Sequence, residues 1–100
     1  QSVRPVYIPN AFTPNGDGVN DLFMIFSSGA VRQVNNFQVF DRWGELVYSA
    51  QNFTPNDPTF GWDGRLKGQS LTPGVFVFFA EVEFFDGKVE LFQGDVTLIR

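Results

Sequence analysis

The sequence predicts an all-β domain, an immunoglobulin-like antiparallel β-sandwich of about seven strands held together without a disulfide. Three observations carry that reading. Apolar residues alternate with polar ones along Phe37 to Val39, and Phe76, Phe78, Ala80, Val82 and Phe84 fall on one face of a longer run, the spacing of strands that bury a single side. Turn-forming residues such as Trp43-Gly44, Pro73-Gly74 and Asp86-Gly87 interrupt these runs. No stretch sustains helical spacing, and Cys is absent. The 100 residues, 43% of them hydrophobic with 13 Phe, suffice for one core and one domain spanning residues 1–100. With no disulfide to centre it, the core is expected to form around Trp43 and Trp62, each worth roughly 1.5 to 3 kcal/mol on burial.

Taken in order, Val6 to Ile8 reads as a short edge strand stopped by Pro9. The stretch Ile8 to Phe23, IPNAFTPNGDGVNDLF, cannot continue it. Pro9 and Pro14 withdraw amides, and Asn10, Asn15, Asp17, Asn20 and Asp21 can turn side-chain oxygens onto neighbouring amides. A packed, self-bonded loop is expected, with Ala11 and Phe12 as its apolar anchor. Asp21 to Phe26, apolar on both faces, reads as a covered strand, and Ser27 to Arg32 as a turn region broken at Gly29. A hairpin follows: a strand from Val34 with Phe37 and Val39 on one side, then Glu45 to Ser49 with Leu46 and Tyr48 on one side. Ala50 to Thr59, with Pro55 and Pro58, is a loop, after which FGWDG brings Trp62 inward beside an Asp63-Gly64 turn. Pro73-Gly74 suits a type II turn launching the longest strand, Val75 to Phe85, whose second face carries Glu81 and Glu83. Asp86-Gly87 closes a hairpin with Lys88 to Phe92, and Gly94 suggests a bulge before a last strand, Asp95 to Ile99.

Composition narrows the function classes. Without His or Cys the commonest bases, nucleophiles and zinc ligands are missing, so the carboxylate pairs Glu81/Glu83 and Asp57/Asp63 read as solubilising charge and no catalytic residue is assigned. A net charge of −4 with seven dispersed basic residues argues against nucleic acid and against an anionic membrane surface. No apolar run reaches the roughly 20 residues of a membrane helix. A chain opening at Gln1 in polar sequence, with no signal peptide, reads as a fragment of a larger protein.

One stretch hints at a cofactor. Asn15, Asp17 and Asp21 alternate along a glycine-bearing turn, as calcium-loop ligands do, but Thr13 and Met24 stand where acidic residues would open and close such a loop. No cofactor is therefore expected, with calcium the one alternative and a self-bonded Asx turn favoured. Arg42 beside Asp41 and Glu45 marks either an ionic recognition patch or a surface ion pair, and an Arg next to Trp43 invites stacking. Phe79 and Phe85, on the glutamate-bearing face, are the residues to inspect for an exposed apolar patch.

Five blocks in fixed order, IPNAFTPNGDGVND, NNFQVFDRWGELVY, GWDG, LTPGVFVF and GDVTLIR, cover nearly the whole chain from Val6 to Arg100. Together they resemble the gliding-motility-associated C-terminal domain, the type B sorting domain of the type IX secretion system. The resemblance implies a non-catalytic domain at the C-terminus of a secreted or cell-surface protein of a Gram-negative bacterium. It would direct N-terminal cargo from the periplasm through the translocon and be recognised by an outer-membrane protein of that machinery. A folded signal must be read from its surface, so the expected docking residues lie on loops and strand ends: Asn10, Asn15, Asp17, Asn20 and Asp21, then Arg42, then Asp95 and Arg100. The last strand is expected to offer an unprotected edge for strand addition. The alternatives are a carbohydrate-binding or adhesion module, which needs a solvent-facing aromatic platform, and a structural Ig-like spacer.

Overall fold

The computed structural model describes residues 6–16 and 21–99. In chain order the strands are β1 (Val6–Tyr7), β2 (Ala11–Phe12), β3 (Phe26–Ser27), β4 (Val31–Phe40), β5 (Leu46–Phe53), β6 (Arg65–Leu66), β7 (Gln69–Ser70), β8 (Gly74–Phe84) and β9 (Val89–Leu98), with a 3-10 turn at Pro58–Phe60. A five-stranded sheet in the order β2-β9-β8-β4-β5 forms one layer. The ribbons β1-β3 and β6-β7, tied by an isolated bridge between Phe23 and Trp62, cover its inner face. The expected all-β, sandwich-like fold is what the chain adopts, although the second layer is ribbon and loop rather than a full sheet.

β8 is the axis. Its alternation sends Phe76, Phe78, Ala80 and Val82 into the core, and its register with β9 runs unbroken from Gly74↔Leu98 to Glu83↔Val89. β9 adds Val96 and Leu98 to the core, while β4 adds Val34, Phe37 and Val39. Rings then lock the two layers together. Phe23 sits 5.5 Å from both Phe37 and Phe78, and Trp62 lies 5.1 Å from Phe76 and 5.5 Å from Phe12. The indole N–H of Trp62 donates to the Arg65 carbonyl at 3.0 Å, so its polar atom is satisfied inside the apolar cluster. Gly61 permits this approach, because a Cβ there would meet Met24 Cγ at 2.7 Å and Leu22 Cβ at 2.9 Å.

Several expectations change. Asp21 to Phe26 is no strand: only Phe23 makes a bridge before β3 begins at Phe26. β4 starts at Val31 and β5 runs to Phe53, shortening the loops on either side. Val47, not Leu46, is buried, since the register slips by one residue between Val39↔Tyr48 and Phe40↔Leu46 and lets Val47 turn inward. Gly74 has no positive φ and already pairs with Leu98, so Pro73-Gly74 makes no type II turn. Gly94 marks no bulge; it pairs with Phe78, whose ring lies 3.3 Å from where a Cβ would project. The last strand is thus a single element of ten residues. Its partner β2 runs parallel to it, among the described residues the one departure from an antiparallel plan. Finally, Trp62 is 1% exposed and central, whereas Trp43 is 84% exposed and belongs to no core.

Asn56 anchors the covering layer in a way its sequence context does not announce. Its amide donates to the Ile25 carbonyl at 2.9 Å, its side-chain oxygen accepts from the Ser27 amide at 3.0 Å, and its side-chain nitrogen donates to the Ser27 carbonyl at 2.9 Å. The residue thereby imitates a strand neighbour for β3. The adjoining turn is capped by Asp57, which accepts from the Thr59 amide, and it seats Phe60 on Phe53 at 4.8 Å.

Truncation of Phe23 to Ala removes the ring shared by both layers and is expected to cost about 3 to 5 kcal/mol, measured as a lower urea midpoint with an unchanged slope. A second expectation concerns pH. Burial pushes the Tyr48 hydroxyl above its ordinary 10.0, and the nearby charge of Asp63 adds to this. The folded state holds that proton more tightly than the unfolded state does, so the contribution is complete below pH 10.0 and is lost as pH rises through the folded value. Tyr48→Phe should accordingly resist alkaline destabilisation better than the parent when urea melts at about pH 8 and about pH 11 are compared.

Candidate functional site

The β4–β5 connection, Asp41-Arg42-Trp43-Gly44-Glu45, is a compact hairpin tip. The Asp41 amide donates to the Glu45 carbonyl at 2.9 Å and the Gly44 amide to the Asp41 carbonyl at 3.0 Å. Gly44, at φ 89°, supplies the left-handed residue that closes such a loop. One carboxylate oxygen of Asp41 accepts from the amides of both Trp43 and Glu45, each at 2.9 Å. With its backbone so tied, the tip holds the Trp43 indole in solvent, and the Arg42 guanidinium lies 5.7 Å from the ring centroid. Such stacking suits a planar cation.

Beside the tip is an open cleft of about 250 Å³ between the hairpin and the segment leading into β8. Val47, Leu66 and Leu71 give it a buried and half-buried lining, while Arg42, Trp43 and Glu45 are exposed at its rim. An aromatic ring, a cation and an apolar recess in one place suit a protein partner, because Trp and Arg beside a desolvated pocket are the residues that dominate interface energies. The outer face of the sheet continues the surface with Leu46 and Val77, which flank Phe40.

The expected docking residues do not form one constellation. Asn15 and Asp21 come together: an Asp21 carboxylate oxygen accepts from the Asn15 amide at 3.2 Å and the Gly16 amide at 3.0 Å, the self-bonded arrangement expected of this loop. Asn10 is exposed, and its carbonyl accepts from the Thr97 amide at 2.9 Å. Asp95 projects from the outer face opposite Val77. Arg42 lies at the far side of the sheet, with β9, β8 and β4 between it and β2. Asp17, Asn20 and Arg100 lie outside the described residues. Among the described residues no three acidic side chains converge as a metal cage would require. At its end the final strand is not the free edge the sequence suggests, for β2 covers it at Thr97 and Leu98 and its Val96 and Leu98 are core.

Trp43 is the residue that sequence reasoning misplaced. The signal was present in the spacing: an Asp able to cap amides, followed three residues later by Gly, is hairpin-loop chemistry, and a side chain between them points away from the sheet. The same construction recurs at the opposite pole. The Phe84 amide donates to the Lys88 carbonyl and the Gly87 amide to the Phe84 carbonyl, and Phe85 is left 70% exposed.

Fold and surface together define a small β-sandwich module whose distinctive groups stand on hairpin tips. The chain matches the family model of the CHU_C type IX secretion signal domain over residues 6–98, which spans β1 to β9, and it belongs to that family. No curated protein matches it. Its role is that of a secretion signal of the type IX system, carried with a cargo portion by a secreted or cell-surface protein.

Replacing Asp41 with Ala should cost about 1 kcal/mol and accelerate hydrogen exchange at the amides of Trp43 and Glu45, leaving exchange in β8 unchanged at matched global stability. Unaltered exchange at both amides would show that the tip is held by other means.

Proposed function

We propose that the domain is a non-catalytic sorting signal read by its folded surface, and that it docks on an outer-membrane protein of the type IX translocon through the Trp43 tip. The cargo lies N-terminal to it, passes transiently through the periplasm and is delivered to the medium or cell surface of a Gram-negative bacterium. The observation that carries this reading is the placement of a large ring at 84% exposure on a hairpin whose backbone is fixed by Asp41. A side chain so exposed contributes little to folding, and a preorganised loop loses little entropy when it binds. Arg42 adds a cation held over the ring. The pair Asn15/Asp21 belongs to a loop at the opposite margin of the sheet and forms a secondary contact in this reading.

A second reading, attachment of a parent protein to polysaccharide, draws on the same solvent-facing indole. Pull-down on insoluble glycans discriminates: retention that disappears with Trp43→Ala favours the sugar reading.

Trp43→Ala is expected to change stability by less than about 0.5 kcal/mol while sharply reducing export of a fused fluorescent protein in a host carrying the translocon. Fractionation should find the variant in the periplasm and the parent fusion in the medium or on the surface. Undiminished export of Trp43→Ala would remove the tip from the docking surface.

A further inference from the structure

The two margins of the main sheet are treated differently by the sequence. Along β5 the register slips at Val47 and Asn52 takes a left-handed φ of 55°, irregularities that spoil a margin for further pairing. Along β9 no such device appears. Thr97 and Ile99 send their amides away from β8, to the carbonyls of Asn10 and Phe12. Amide direction alternates along a strand, so the amides of Val89, Leu91, Gln93 and Asp95 face the same way. β2 does not reach them, for its registered partners are Thr97 and Leu98. Among the described residues the amides of Val89, Leu91, Gln93 and Asp95 therefore form an unpaired outer ladder, on a stretch free of proline and in unbroken register with β8.

The side chains along it combine aliphatic groups with acidic ones. Val89 and Leu91 are 50% and 60% exposed. Glu90 and Asp95 are exposed as well, and the ion pair between Arg32 and Glu83, at 3.7 Å, is the only one among the described residues, so neither carboxylate is neutralised there. An unsatisfied ladder flanked by aliphatic groups and uncompensated negative charge specifies a complementary strand.

We propose that β9 from Val89 to Asp95 receives an extended segment of a partner protein, whose apolar side chains lie over Val89 and Leu91 and whose Lys or Arg side chains, on its other face, oppose Glu90. Main-chain hydrogen bonds supply the affinity and the alternating side chains supply the selection. This site is separate from the Trp43 tip, so either reading can fail without the other.

The test uses the 100-residue chain and two synthetic peptides of about ten residues, one alternating valine with lysine and one alternating valine with glutamate. Hydrogen exchange followed by NMR should slow by about tenfold at the amides of Val89, Leu91, Gln93 and Asp95 with the lysine peptide, not with the glutamate peptide, and with neither along β5. Gln93→Pro removes one outward amide without touching the ladder to β8, and should abolish the protection while leaving the fold's NMR spectrum otherwise intact. The variant Glu90→Lys, which keeps the backbone untouched, should reverse the preference to the glutamate peptide. The proposal is overturned if neither peptide protects these amides, if both protect them alike, or if the charge reversal leaves the preference unchanged. It is also overturned if sedimentation shows the chain alone forming a dimer that Gln93→Pro dissolves, which would assign the margin to a second copy.

Discussion

The structure rests on the pairing of Phe23 with Trp62. These two residues exchange backbone hydrogen bonds of 2.8 and 3.0 Å across an otherwise irregular layer, and their rings reach into the sheet between Phe12, Phe37, Phe76 and Phe78. The covering layer has no broad sheet of its own. Its elements are two-residue ribbons, and a two-stranded ribbon is marginal in water unless it packs on something larger. One bridge carrying two large aromatic groups therefore supplies what a second full sheet supplies in a more regular sandwich. Since the chain has no Cys, that apolar contact does the joining without covalent help.

This arrangement fixes where the surface can be informative. The inner face is filled with rings and branched aliphatics, leaving the outer face, the margins and the two poles. Both long hairpins turn with the same backbone hydrogen-bond pattern, a glycine at positive φ and an exposed aromatic at the tip, Trp43 at one pole and Phe85 at the other. Only the Trp43 pole joins its ring to a cation and a recess. The difference between the poles comes from what lies next to them, not from the turn itself.

How much of this was legible depends on which signal each feature used. The long strands were, because a period of two is a direct image of a half-buried sheet: Phe76 to Val82 and Phe37 with Val39 face inward as their spacing requires. Trp62 was legible from the tight Asp63-Gly64 turn beside it. The covering layer was not, since DLFMIF is apolar on both sides and only tertiary contact with Trp62 and Asn56 decides that it bends rather than extends. A bulge at Val47 inverted the reading of Leu46, for a single inserted residue exchanges the two faces of a strand. In the site, the self-bonding of Asn15, Gly16 and Asp21 followed from side-chain chemistry, whereas Trp43 was misplaced because residue type outweighed position in the argument. Size says that an indole prefers burial, and only the geometry of a tight turn says that this one cannot have it.

β9 pairs with β8 along its whole length and carries β2 against its last residues, and it contributes Val96 and Leu98 to the interior. Without Val89–Leu98, β8 would be bare along one side and β2 would have nothing to lie against. The sheet is thus not closed progressively along the sequence: β2, formed near one end of the described residues, finds its place only against a strand near the other.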